Sequence, residues 1–141
     1  RLGMPTQLRD DDLQRIRDLE PAVALTGNAP TTARLENTLR ILCLRQQFAP
    51  TRPNDEVVGC LVRQRHDGGW GDKPTLENTW LALAILDMLG ASVPLQETRD
   101  FVDALQMHSF GFTATRDSAF ASLQTVHAGM CACALLDLSV R

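Results

Sequence analysis

The sequence predicts an all-α fold built from about three helical hairpins in succession. Three observations predict it. Apolar residues recur at helical spacing, and no segment alternates polar and apolar residues long enough to argue for a strand. The block LENTLRIL at 35–42 returns as LENTWLAL at 76–83, which sets Thr38 and Thr79 41 residues apart, and SLQTVHAG at 122–129 is a looser third copy. The turn ahead of the block also repeats: Gln64 leads to Trp70 and Gln106 to Phe112, each six positions on, with the copies 42 apart. A period of that length holding two helices is the signature of stacked helical hairpins.

Taken in order, Asp10, Asp11 and Asp12 open a first helix, since acidic residues suit the positive end of the helix dipole. It is expected to reach about Leu25, before Gly27-Asn28. A second helix spans 31–48 behind Pro30, and APTRPND connects it to a third at 54–65. A fourth runs from 75 to 89, stopped by Gly90, and carries Trp80, Leu81, Leu83, Ile85, Leu86, Met88 and Leu89 nearly all round. Such a helix is covered on most sides. The fifth, 94–107, is one-sided: Leu95, Thr98, Phe101, Val102 and Leu105 oppose Gln96, Glu97, Arg99, Asp100 and Asp103. The sixth is expected over 117–138, opened by Arg116-Asp117, with small residues from Ala128 to Ala134 for close packing. Outer and inner helices therefore alternate.

The 141 residues suit a single domain, 1–141, with 31–141 forming the repeats and a polar N-terminal stretch, 1–30, as a candidate cap. With 44% hydrophobic residues the composition is that of a globular chain, and its net charge of -3 without any Lys/Arg run points to neither nucleic acid nor an anionic membrane. No stretch approaches the roughly 20 apolar residues of a membrane span. Cys43, Cys60, Cys131 and Cys133 all fall in apolar helical segments, so buried, reduced thiols and a cytoplasmic setting are expected.

The corner QRHDGGW, with Gln64, Gly68 and Trp70 in a Q-x3-G-x-W arrangement, resembles the QW motif of the terpenoid cyclase and protein prenyltransferase superfamily. TLENTWLALAILDMLG resembles the helix that follows it there. The likeness covers 54–90 well and 94–138 more loosely. It implies structural roles for Gln64, Gly68, Gly69, Trp70, Gln106 and Phe112. The physics agrees: glycines allow a sharp reversal, a glutamine can bond orphan groups at a helix end, and a tryptophan can seal adjoining hairpins. The superfamily closes five to seven hairpins into an α/α toroid around an apolar cavity. Three hairpins make a half toroid with an uncovered inner wall, which implies a homodimer or partner subunit, or a bound ligand.

The superfamily's catalytic motifs are incomplete. DxDD and DDxxD are absent, and Arg9-Asp10-Asp11-Asp12 reads as a helix start. The resemblance would place the transferase zinc ligands at Glu77, Thr79 and His127, but a threonine does not replace a thiolate ligand. No cofactor is therefore expected, with zinc or magnesium as the alternative. Glu77, at the head of an inner helix with Glu36 as its counterpart, and His127, four residues before Cys131, are the candidate catalytic groups. Trp80, Leu83, Ile85 and Arg116 are the candidate ligand-binding residues. His66 and His108 recur at equivalent turns as repeat features. The expected function is binding of an isoprenoid or other apolar molecule along the inner wall. The alternatives are one half of a cyclase or prenyltransferase, and a non-catalytic assembly module.

Overall fold

The computed structural model describes residues 9–48 and 54–141. The fold is all-α, with seven helices among the described residues: α1 Asp10–Asp18, α2 Pro21–Thr26, α3 Thr31–Phe48, α4 Asp55–Gln64, α5 Leu76–Met88, α6 Gln96–Ala104 and α7 Leu123–Leu136. The acidic triad does open α1, but the single helix expected to run to Leu25 is two. Pro21 lacks the amide that would continue the ladder, and its ring would meet the carbonyl four residues back, so it begins α2 instead. The split separates two kinds of surface. No residue of α1 is buried, whereas α2 buries Pro21, Ala22 and Leu25.

Three further expectations change. The corner is not plain coil: β1 Arg65–His66 and β2 Gly69–Trp70 pair antiparallel around it. The last helix begins at Leu123, not near 117. A capping box between Ser122 and Thr125 starts it, and a bridge between Thr113 and Ala121 holds the chain extended just before. Arg116 and Asp117 therefore lie in the preceding loop and open no helix. α6 likewise stops at Ala104, short of Met107, because the chain bends there to pair Gln106 with Phe112.

α5 lies between α3 and α7, α2 packs on α3 and α4, and α6 packs on α7. α5 divides its apolar surface between two cores. Leu81, Ala82, Ile85, Leu86 and Leu89 join Leu25, Leu35, Leu42, Val57 and Leu61 in one. Leu76 and Leu83 join Phe101, Val102, Leu105, Phe112, Ala132 and Leu136 in the other. This is why α5 carries apolar residues all round while α6 does not. Among the described residues no helix is long and apolar enough to cross a membrane.

Candidate functional site

The corners position the central helices. Gln64, in the last turn of α4, donates from Nε2 to the Leu25 carbonyl at 3.4 Å, at the end of α2. Arg34 donates to the same oxygen at 3.0 Å, so two side chains satisfy a terminal carbonyl that the helix leaves free. Trp70, 1% exposed, donates its indole N–H to the Leu61 carbonyl at 2.8 Å, and its ring enters the first core. Gly68 has φ +84°, and a Cβ there would stand 2.3 Å from the Glu97 carbonyl oxygen of α6. At the second corner Gln106 donates to the Ser139 carbonyl at 3.1 Å and accepts from the Arg141 amide at 2.9 Å. Phe112, also 1% exposed, packs against α7 at Gly129.

The start of α5 is fastened from inside. Thr75 caps it by accepting from the Asn78 amide at 3.2 Å, and the buried Asn78 accepts from Thr32 of α3 at 2.7 Å. The repeated threonines act alike: Thr38 donates to the Arg34 carbonyl at 2.8 Å and Thr79 to the Thr75 carbonyl at 2.7 Å. Thr125 departs from the pattern. It sits in the first turn of α7 and serves the capping box.

Two clefts open along the side of α5 that the cores leave free. One, about 500 Å³, is lined by Glu36 of α3, by Glu77, Trp80 and Leu81 of α5, and by Leu123, Gln124, His127 and Ala128 of α7. The other, about 560 Å³, continues past Trp80 between Gln46, Ala84, Asp87, Met88, Cys131, Ala134 and Leu135. Trp80 belongs to both. His127 meets the Trp80 ring edge-on, with centroids 5.7 Å apart and planes at 89°. Its Nε2 lies 3.7 Å from Cys131 Sγ. Together the clefts make one groove with a largely apolar floor and a half-buried indole at its middle.

The structure therefore brings Glu77, Trp80 and His127 to one groove, with Glu36 beside them. It does not bring Leu83, Ile85 or Arg116. Leu83 and Ile85 are 3% and 0% exposed and belong to opposite cores. The reason is angular: at 100° per residue they flank the stripe that carries Trp80 and Ala84, so neighbouring helices cover them. Arg116 lies over the Phe101 ring, 5.6 Å from its centroid, and lines a separate polar hollow with Asp67, Gly68, Glu97 and Asp100.

The groove residues that sequence reasoning missed have a signal of their own. Residues 77, 80, 81, 84, 87 and 88 of α5 line it, and so do 124, 127, 128, 131, 134 and 135 of α7. Both sets run at offsets of three, four, seven, ten and eleven from their first member, one face of a helix.

The transferase zinc set does not fit. Thr79 is wholly buried, with its hydroxyl turned back onto its own helix, so it offers nothing to a metal beside Glu77 and His127. Among the described residues no three His, Cys, Asp or Glu side chains gather as a metal site. The thiols also divide, against the expectation that all four are buried: Cys60 and Cys133 are buried, Cys43 is exposed and Cys131 lies between. Burial pushes the Cys133 thiol up from its ordinary pKa, and the Asp103 carboxylate adds to the shift.

Comparison of the chain with family models, curated proteins and solved structures returns no significant match.

Proposed function

We propose that this protein is a half-toroid of three helical hairpins, of the terpenoid cyclase and prenyltransferase kind, that binds an apolar small molecule along its central helices. The groove over Trp80 carries this reading. Its two clefts run the length of the central helices, their floor is mainly apolar, and α5 and α7 present the same stripe of positions to it. Pockets of this size, mostly apolar with a few polar groups at the edge, are the usual form of small-molecule sites. The occupant is an isoprenoid or a chain of similar width. A binding role is the reading that the groove's apolar lining supports, and among the described residues no three His, Cys, Asp or Glu side chains gather as a metal site. Support for the kinship comes from the Gln64–Trp70 and Gln106–Phe112 corners, whose glutamines and aromatics each serve a helix end or a core.

The test uses the tryptophans. Trp70 is sealed in the core, while Trp80 is half-buried in the groove, so a ligand there changes the emission of Trp80 alone. Farnesol titrated into the protein should alter fluorescence saturably, and Trp80→Phe should abolish the change. A groove that takes up neither farnesol nor a straight C10–C15 alcohol defeats the proposal.

One observation favours a second reading, in which a second copy or partner subunit completes the array. Phe120 and Leu123 are 83% and 86% exposed beside the start of α7, and Phe110 and Met130 are exposed nearby in sequence. Large exposed apolar groups clustered on and beside one helix commonly mark a contact surface. A native mass of twice 15.6 kDa, falling to one on Phe120→Ser with Leu123→Ser, supports that reading; a monomer at high concentration rejects it.

A further inference from the structure

We infer that the groove selects amphiphiles with a positively charged head, an alkyl- or isoprenyl-ammonium, over those with a phosphate head. This rests on the groove being the binding site, as proposed above, and adds the charge of its occupant.

The carboxylates on its walls point one way, with the His127 imidazole as the ionisable base beside them. Glu36 and Glu77 line the first cleft and Asp87 the second, and no lysine or arginine lines either among the described residues. Glu36 has Arg40 at 3.7 Å, but that arginine is 71% exposed and one turn along α3. An exposed pair of that kind is weak and leaves the carboxylate available. Arg116, the cation among the candidate ligand-binding residues, lies in the other hollow.

Helix N-termini do not reverse this. α3, α5 and α7 begin around a small hollow of about 240 Å³ lined by Thr32, Thr75, Ser122 and Thr125. Two first-turn amides there are already taken: Asn78 N–H by Thr75 and Thr125 N–H by Ser122. Glu77 also lines that hollow, so a phosphate entering it would face a carboxylate. An ammonium, by contrast, meets two carboxylates at the first cleft and the indole of Trp80 beside them, an arrangement that favours cations through both charge and the ring quadrupole. The hydrocarbon tail then lies on Leu81, Ala84, Met88 and Leu135.

Three probes of equal tail length test it, each below its micelle concentration: decyltrimethylammonium, decanol and decyl phosphate, followed by Trp80 emission. The ammonium should bind roughly fivefold or more tighter than the alcohol, and the phosphate weaker than both. Raising salt should narrow the spread. Glu36→Gln with Glu77→Gln should bring ammonium and alcohol to within about twofold while the thermal midpoint is kept. Phosphate binding as tightly as ammonium, or a preference that survives the double variant, overturns the charge assignment while leaving the groove intact. Absence of binding by all three overturns the groove and the assignment together.

Discussion

The two corners do the same work by opposite means. In both, a glutamine bonds a distant carbonyl and an aromatic six positions on is buried to 1% exposure. At the first, the clearance comes from glycines in the turn. A Cβ on Gly68 would strike the α6 backbone, and one on Gly69 would stand within about 3 Å of Pro74, Thr79 and Phe101. Trp70 then adds a hydrogen bond to the end of α4. At the second, the missing Cβ belongs to the helix. Gly129 sits under the Phe112 ring, where a Cβ would come within 2.2 to 2.5 Å of three ring carbons. The turn itself contains a strained non-glycine, Phe110 at φ 134°, beside Gly111 at φ 100°. Close approach of turn and inner helix is therefore the constant, and which partner gives up its side chain is free to vary.

The largest effect should separate the aromatics. Trp70→Ala is expected to lower stability by about 3–5 kcal/mol, and Phe112→Ala by somewhat less, since only the indole also gives up a hydrogen bond, the one to the Leu61 carbonyl. Denaturant midpoints would measure both; equal losses would mean that the Trp70 hydrogen bond contributes nothing.

Next come the glycines. Gly68→Ala and Gly129→Ala should each cost about 1–3 kcal/mol by overpacking, with a further 1–2 kcal/mol at Gly68 for its left-handed backbone. The two are distinguishable by rescue. Trimming Phe112 to Leu should recover part of the Gly129→Ala loss and none of the Gly68→Ala loss, because the obstacle at Gly68 is the backbone oxygen of Glu97. A double-mutant cycle without coupling at 112 and 129 would undo the comparison.

The glutamines should differ in the reverse order. Gln106→Ala frees both the Ser139 carbonyl and the Arg141 amide, a loss of about 1–3 kcal/mol. Gln64→Ala should cost about 1 kcal/mol or less, because Arg34 still serves the Leu25 carbonyl. Equal thermal shifts for the two would show that Arg34 gives no cover.

The smallest effect concerns the tie between the loops that follow the corners. Lys73 pairs with Asp117, and its hydrogen bond and charge hold the Asp117 carboxyl below the usual range. A carboxylate depressed by folding stabilises above its unfolded pKa, and that contribution is lost as pH falls through the folded value. Lys73→Ala should therefore lower stability slightly at neutral pH and become neutral in strong acid. Because the pair is solvent-exposed, high salt at neutral pH should shrink the difference as well. A gap that grows on acidification would contradict the assignment.

The corners were legible because Gln64, Gly68, Trp70, Gln106 and Phe112 state their roles through local chemistry and fixed spacing. Glu77 and His127 were named together because the resemblance sets both at the transferase ligand positions, and they line one cleft of the fold. Three things were not legible. Pro21 divides what periodicity reads as one helix, a local signal outweighed by a run of good helix formers. Ser122 starts α7 six residues after Arg116, since the chain first pairs with Thr113 and apolar content alone does not mark where pairing ends. Gly129 reads as one small residue among alanines until the Phe112 ring is placed on it.

What the sequence determined by itself is the order of helices, their joining through glycine-aromatic corners, and which of them are apolar all round, because turn geometry and helical period are set by near neighbours. The tertiary structure alone decided which side of α5 stays open. A helix with apolar residues on every side contains no preferred face, so Leu83 and Ile85 became core and Trp80 became wall only when α3 and α7 closed on either flank. Arg116 likewise could be placed away from the groove only by the fold, since its loop position depends on Phe101 of α6, fifteen residues before it.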